Sequence, residues 1–412
     1  MKRIANVLVP LMLLSILVAA CGGVPAPAPV ATQAPAATEA PAATAAPAAT
    51  EAPAAAAISL PAEITFGAVH DLSGATAVYG TSIQKGIDLA VKQINAQKFL
   101  GEGVTVKVTY VDAAGDPKQA IAAFEKLIAD PNVTVILGPT LSAEAKSADP
   151  LAQEAGVPVI ASSNTVAGIV EIGDYIFRTS LPESAVIPNT IKVTKAAFNL
   201  KKVAIMYGND DAYTQGGYDV FKATLAAEGI EVLTEETFAK GDTDFSAQLT
   251  KIQSLNPDAI IVSALAEEAA NILLQARTLG LPESIRIIGG NGFNSPKLAQ
   301  IAGKAAEGAI SGSAWNVSST YPASADFVKA FNAEYSANPD QFAAQAYTAA
   351  WVAATAIKNA GSVDHAAVRA ALAKISGMES PLGSFSFNEK RDPVHEAVVL
   401  IVKDGKFVVF QP

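Results

Sequence analysis

The chain has 412 residues, half of them apolar, which is ample for two domains with a large buried core. Its formal net charge is −10, and no basic stripe runs along any segment, which excludes nucleic-acid binding by phosphate neutralisation and leaves the acidic surface a role in solubility. A single cysteine, Cys21, excludes a disulfide within the chain.

At the N-terminus, Lys2 and Arg3 precede an apolar run over residues 7–20 that is short for a membrane span and shaped like the hydrophobic region of a secretory signal. It ends in Val18-Ala19-Ala20-Cys21. Small residues ahead of a cysteine resemble a bacterial lipobox, so residues 1–20 are expected to be cleaved off and Cys21 to carry lipid. The alternative is an ordinary cleaved signal with a spare thiol. Residues 24–57 repeat Pro, Ala and Thr with almost no large apolar side chain, a composition that cannot offset its conformational entropy by burial. Residues 21–57 are therefore expected to form an extended tether rich in polyproline II conformation.

The folded part opens with a strand over 64–69, a polar turn at His70-Asp71-Leu72-Ser73-Gly74, and a helix from about residue 81. In that helix Ile83, Ile87, Ala90, Val91 and Ile94 form one apolar stripe. A second strand over 104–111 leads to Asp116-Pro117, which reads as N-cap and first position of a helix carrying Ala120, Ile121, Phe124, Leu127 and Ile128. Two short β-branched runs follow at 133–137 and 157–161, separated by a helix closed at Gly156; they read as parallel strands covered on both faces. Strands alternating with helices imply a parallel, doubly wound sheet. Ligands of such sheets sit outside the carboxyl ends of the strands, which singles out Gly138-Pro139-Thr140-Leu141-Ser142 and Ser162-Ser163-Asn164-Thr165.

After Arg178-Thr179-Ser180 the pattern restarts, with strands at 203–207, 230–238, 259–265 and 285–288. Residues 133–162 and 259–290 share an order of strand, small-residue loop, Ala-rich helix, Gly-x-Pro and strand, punctuated by Gly156-Val157-Pro158 and Gly280-Leu281-Pro282. The repeat predicts two lobes of one topology. Near the end, 327–336 and 342–360 read as helices, and 396–402 with 406–410 as a hairpin about Lys403-Asp404-Gly405. The expectation is that the chain crosses between lobes several times at a hinge, with lobe one made of 58–180 and 313–388 and lobe two of 181–312 and 389–412.

Little in the sequence promises catalysis. His70, His365 and His395 have no metal-ligand spacing, and no phosphate loop, dinucleotide fingerprint or nucleophile elbow occurs, so neither enzyme activity nor a metal or cofactor is expected. Ser142 beside a helix N-terminus can, with nearby backbone N–H groups, hold an anion. Thr165 with the backbone of Ser163 and Asn164 can complete that site for a carboxylate. Helix capping is what such hydroxyls do elsewhere, but two of them at adjacent strand ends favour a ligand.

These residues, with Asp71-Leu72-Ser73-Gly74 before Tyr79-Gly80, Ile94-Asn95-Ala96, Asp112, Asp116-Pro117 with Gln119-Ala120, Leu137-Gly138-Pro139, Arg178-Thr179, Asp244-Phe245-Ser246, Gln275-Ala276-Arg277 and Ala305-Ala306-Glu307-Gly308, carry a resemblance. From about residue 58 to its end the chain resembles the branched-chain amino-acid-binding proteins of ABC importers. The resemblance implies an α/β, type I periplasmic-binding fold of two doubly wound parallel-sheet lobes joined by a multi-crossing hinge. It also implies a lipid-anchored, extracytoplasmic monomer at the outer face of the cytoplasmic membrane or in the periplasm, which hands a hydrophobic amino acid to membrane permease subunits. By position, Ser142 and Thr165, with main chain at Ser163 and Asn164, would hold the α-carboxylate, while Tyr79, Tyr213 and Phe342 would be aromatic walls. Where relatives place an acid for the α-ammonium, this sequence has Asn291. A neutral amide cannot neutralise a buried ammonium, at a cost of roughly 3–5 kcal/mol. Glu267 or Glu268 could replace the missing acid, or could merely favour the N-terminus of the following helix. Otherwise the ligand is a carboxylate or amide without an amine, such as a keto or aromatic acid. A sensory ligand-binding module is a further reading.

Overall fold

The computed structural model describes residues 60–412; the expected signal peptide, lipidated Cys21 and tether lie outside the described residues. The chain opens with β1 (Glu63–His70), α1 (Ala77–Ala96), β2 (Thr105–Asp112), α2 (Pro117–Ile128), β3 (Val133–Leu137), α3 (Ser142–Ala155), β4 (Val159–Ala161) and β5 (Ile176–Arg178). It continues through α4 (Glu183–Phe198), β6 (Lys202–Gly208), α5 (Ala212–Ala227), β7 (Glu231–Phe238), α6 (Ser246–Leu255), β8 (Ala259–Ser263), α7 (Ala266–Thr278), β9 (Arg286–Gly289), α8 (Pro296–Ala302) and β10 (Ile310–Ser313). It finishes with α9 (Pro322–Tyr335), α10 (Gln341–Ala360), α11 (His365–Leu372), β11 (Met378–Ser380), β12 (Gly383–Phe385), β13 (Val398–Lys403) and β14 (Lys406–Val409).

Two parallel sheets result, in the orders β2-β1-β3-β4-β5 and β7-β6-β8-β9-β10, the second extended by antiparallel β13 and β14. The central strands β3 and β8 are buried along their whole length, as apolar β-branched runs between two helix layers must be. The sequence repeat has a structural counterpart, because β3-α3-β4 and β8-α7-β9 occupy equivalent places in the two sheets. Local signals set several ends. The Asp116 side chain accepts from the Lys118 N–H at 2.8 Å with Pro117 in the first turn of α2, and Gly156 ends α3 in the left-handed region at φ 69°.

Several expected ends move, among them the start of α9, which lies at Pro322 instead of 327. Helix α1 begins at Ala77 instead of near 81, directly after Thr76, whose hydroxyl donates to Asp71 Oδ2 at 2.7 Å and fixes the turn. Strand β4 begins at Val159, since the Val157 N–H is still bonded to Ala152 O at the helix end and Pro158 has no N–H to donate. Strand β8 stops at Ser263, leaving Leu265 as the N-cap of α7.

Helix α10 packs along α1 so closely that a Cβ on Gly86 would lie 2.3 Å from the Ala343 carbonyl oxygen. The chain passes to the second sheet after β5, returns after β10 to pack α9 and α10 beside α1 and form the separate pair β11-β12, and rejoins the second sheet at β13. Among the described residues no helix is long and apolar enough to cross a membrane.

Candidate functional site

The carboxyl ends of β3 and β4 open onto a cavity lined by Thr140, Leu141, Ser142, Ser163 and Thr165 on one side. Tyr213, Leu265, Asn291 and Gly292 line the other, with Tyr79 and Phe342 between. It is narrow, with about 340 Å³ of space between atoms, of which about 30 Å³ is open to the centre of a water molecule. Helix α3 starts here with Leu141 in the capping position, whose side chain offers no oxygen, so the N–H groups of the first turn receive no bond from the capping residue and only the Leu141 N–H is taken, by Glu144. Ser142 Oγ accepts from the Thr165 N–H at 3.3 Å, and Thr165 Oγ1 is buried without a hydrogen-bond partner. A buried hydroxyl left unpaired is costly, and an anionic ligand bound between these groups would satisfy it.

Behind this wall the polar groups are spent on scaffolding. Ser163 Oγ donates to Thr140 O at 2.6 Å. The Asn164 side-chain amide donates to Pro139 O and Thr140 O at 3.1 and 3.0 Å, while the Asn164 backbone carbonyl accepts from Arg178 and Ser180. Asn164 therefore holds the loop from behind and does not line the cavity. Thr140 Oγ1 accepts from the Asp71 N–H at 3.0 Å and lies 3.2 Å from His70 Nδ1. Burial lowers the His70 pKa to about 3, which keeps its ring neutral. Glu144, in the first turn of α3, accepts from the Leu141 N–H at 2.8 Å. Burial, then the Asp71 charge, push its carboxyl up to about 9, so it carries a proton at neutral pH.

From lobe to lobe runs Tyr79 of α1. Its hydroxyl donates to Gly292 O at 3.1 Å and accepts from the Ala266 N–H at 2.8 Å, while its ring meets Phe342 edge-on at 4.9 Å. Tyr213 stands in the first turn of α5, where Asp211 caps the Tyr213 and Thr214 N–H groups, and its hydroxyl accepts from the Gly292 N–H at 2.7 Å. Both tyrosine hydroxyls are buried and held far above their ordinary pKa, so they stay protonated. A Cβ on Gly292 would lie 2.5 Å from Ala264 O and 2.8 Å from the Tyr213 hydroxyl, so only glycine fits between them.

Of the residues singled out in the sequence, Tyr79, Ser142, Ser163, Thr165, Tyr213, Asn291 and Phe342 meet at this cavity. Glu267 does not. It lies in the first turn of α7, where an acid favours the helix N-terminus, and lines another cleft with Thr76, Lys240 and Glu268. Glu268 is committed to the Gly241 N–H at 2.9 Å. The Asn291 side-chain amide donates to Leu181 O at 3.4 Å.

The residue that the sequence did not reveal is Glu183, at the start of α4. One of its carboxylate oxygens accepts from the Asn291 N–H at 3.1 Å. Its only sequence signal is Pro182-Glu183 ahead of the apolar positions Val186, Ile187 and Ile191. Among the described residues no group of three or more His, Cys, Asp or Glu could hold a metal ion.

A family model for periplasmic binding proteins matches residues 63–406. The Leu/Ile/Val-binding protein BraC3 of Rhizobium johnstonii is 31% identical over 336 residues, which is 80% of this chain and 89% of that protein. The crystal structure of the branched-chain amino acid transporter substrate binding protein LivJ from Streptococcus pneumoniae, in complex with isoleucine, superposes with a TM-score of 0.78 at 31% identity, covering 85% of this chain and 100% of that one. A solute binding protein of an ABC transporter from R. palustris, in complex with benzoate, superposes with a TM-score of 0.76 at 26% identity, covering 84% and 95%.

Proposed function

This chain belongs to the periplasmic binding protein family and has the type I fold of its structural relatives; from that premise we propose that it is the solute-binding protein of an ABC importer, taking a small carboxylate-bearing ligand between its lobes. Lobe one comprises 58–180 and 313–388, and lobe two 181–312 and 389–412. The observation that carries the reading is the juxtaposition of the unpartnered Thr165 hydroxyl, the Ser142 hydroxyl and the N-terminus of α3 in one cavity. Leu141, Leu265, Tyr79 and Phe342 give the same cavity apolar walls, which suit a branched-chain or other hydrophobic amino acid, as bound by the isoleucine-bearing relative. Ligand touches both lobes only when they are together, so binding draws the population to the closed form that a permease can recognise. Lipid on Cys21 and an extended tether would hold the domain at the outer face of the membrane.

The benzoate-bearing relative supports a second reading, an aromatic or keto acid gripped by the same hydroxyls without any ammonium. Mass spectrometry of what co-purifies, followed by calorimetry with that compound, tests the proposal. The expected result is a carboxylate of amino-acid size bound one to one; a folded protein that binds no carboxylate would sink it. For the anchor, the unaltered protein should fractionate with membranes and a Cys21→Ala variant should not.

A further inference from the structure

Arg178, the last residue of β5, is 2% exposed and so carries a buried charge. Its Nε donates to Asp392 Oδ1 at 2.5 Å, the pairing that a buried guanidinium requires. Its Nη1 donates to Asn164 O at 3.3 Å and to Val166 O at 2.8 Å. One guanidinium thus grips the carbonyls on both sides of Thr165, while the Glu183 N–H takes the carbonyl of Thr165 itself at 3.1 Å. The Thr165 hydroxyl has no protein partner of its own, so its direction in the cavity is set by this backbone frame. Asp392 is held in turn. Its N–H and that of Lys390 donate to Asn388 Oδ1 at 3.1 and 2.8 Å, which closes a tight turn over 388–392. Within that turn Arg391 takes φ 69°, a left-handed conformation that is costly for a bulky side chain and persists only where its surroundings fix it. The fixing contacts reach β5 and the segment before it: the Arg391 carbonyl accepts from the Arg178 N–H at 3.4 Å, and the Arg391 side chain donates to Ile176 O at 3.1 Å and Val170 O at 2.6 Å. Soon afterwards Ala397 O accepts from Asn189 of α4 at 3.3 Å and Val398 opens β13 in the second sheet. The last crossing of the chain therefore sets out from the residue that pairs with the strut behind Thr165.

We propose that Asp392 is a positioning residue: acting through Arg178, it holds Thr165 in the geometry that a carboxylate needs, and so ties ligand affinity to the last crossing between the sheets. The inference rests on the carboxylate reading above and adds to it a residue that touches no ligand. Without its acid, the buried charge of Arg178 is uncompensated, and the side chain shifts toward other acceptors or water at the expense of its two carbonyl bonds. The peptide groups on either side of Thr165 then lose their common anchor, and the hydroxyl between them loses its direction.

Two measurements test this. Hydrogen exchange read by mass spectrometry needs no ligand: in Asp392→Asn, amides over 163–167 should exchange about 10-fold faster or more, while those of β3 stay unchanged. The second is a double-mutant cycle between Asp392→Asn and Thr165→Val, read by calorimetry with valine, leucine, isoleucine, phenylalanine, isovalerate and benzoate. For a compound that binds, Asp392→Asn should weaken affinity by about 10-fold in the unaltered protein, and by less than about twofold once Thr165 has lost its hydroxyl. A merely structural role would give the same loss in both backgrounds. If Asp392→Asn fails to fold, Arg178→Lys goes through the same two measurements with the same expected results, since lysine keeps the charge but lacks the fork that spans the acid and both carbonyls. Additive losses in the cycle, or unchanged exchange over 163–167, would overturn the role of Asp392 and leave the carboxylate grip standing. Unaltered affinity in Thr165→Val, or binding of no compound in the panel, would overturn both.

Discussion

Ser142 and Thr165 act as one unit. Ser142 Oγ already accepts from the Thr165 backbone, and the Thr165 hydroxyl, with no protein partner, is free to donate. Ser142→Ala combined with Thr165→Val should lower the affinity for any carboxylate ligand by about 100-fold or more, because an anion would then be buried short of donors. The melting temperature of the ligand-free protein should stay within a few degrees, since neither hydroxyl donates to a protein acceptor; near-normal affinity would remove the carboxylate grip. One turn below, Glu144 makes a different forecast. Its folded pKa of about 9 lies above the ordinary 4.5, so the native state keeps a proton that the unfolded chain has lost. Stability must then fall as pH rises from about 4.5 toward 9, with a limiting slope of about 1.4 kcal/mol per pH unit. Glu144→Gln can still accept from the Leu141 N–H and has no carboxyl to titrate. The variant should therefore flatten the drop in melting temperature between about pH 5 and pH 8. An unchanged drop would show that Glu144 does not hold the proton.

At the scale of the elements, caps and breakers carried the legible part of the fold. Asp116-Pro117 starts α2 and Gly156 ends α3 where side-chain chemistry required it. Replacing Asp116 by Ala removes the acceptor of the Lys118 N–H and should cost about 1 kcal/mol, a drop of a few degrees at most by thermal melt. An unchanged melt would mean the cap is redundant. Other elements have no local signature. Strand β5 is only Ile-Phe-Arg, and β10 is Ile-Ser-Gly-Ser, whose Gly312 is needed because a Cβ there would lie 2.3 Å from Thr190 Oγ1 of α4. That requirement comes from tertiary packing, which no window of neighbouring residues expresses. The candidate site divides in the same way. Hydroxyls at the ends of β3 and β4 could be read because strand ends in such sheets have a known geometry. Glu183 reaches its place from α4, an element that no strand pattern introduced, and Glu267 stands in the first turn of α7, the helix N-terminus that was the alternative to a ligand role.

In the whole molecule the two lobes meet through Tyr79, whose hydroxyl joins Ala266 and Gly292 of the opposite lobe. Tyr79→Phe keeps the ring against Phe342 and deletes both hydrogen bonds, so it should weaken ligand by about 10-fold, chiefly through faster dissociation. Stopped-flow fluorescence would read the change, and an unaltered dissociation rate would mean the bridge does not hold the lobes together. The close fit of α10 along α1 also orders events on the ribosome. The hydroxyl of Ser82 must wait for Asp340, 258 positions downstream, and the apolar stripe around it waits as long for the helix that covers it. A nascent chain halted before α10 would hold both hydroxyls of the carboxylate grip, yet lack the layer that keeps them in place. Synthesis therefore delivers the hydroxyls of the proposed site early and the helix that packs behind them only near the end of the chain.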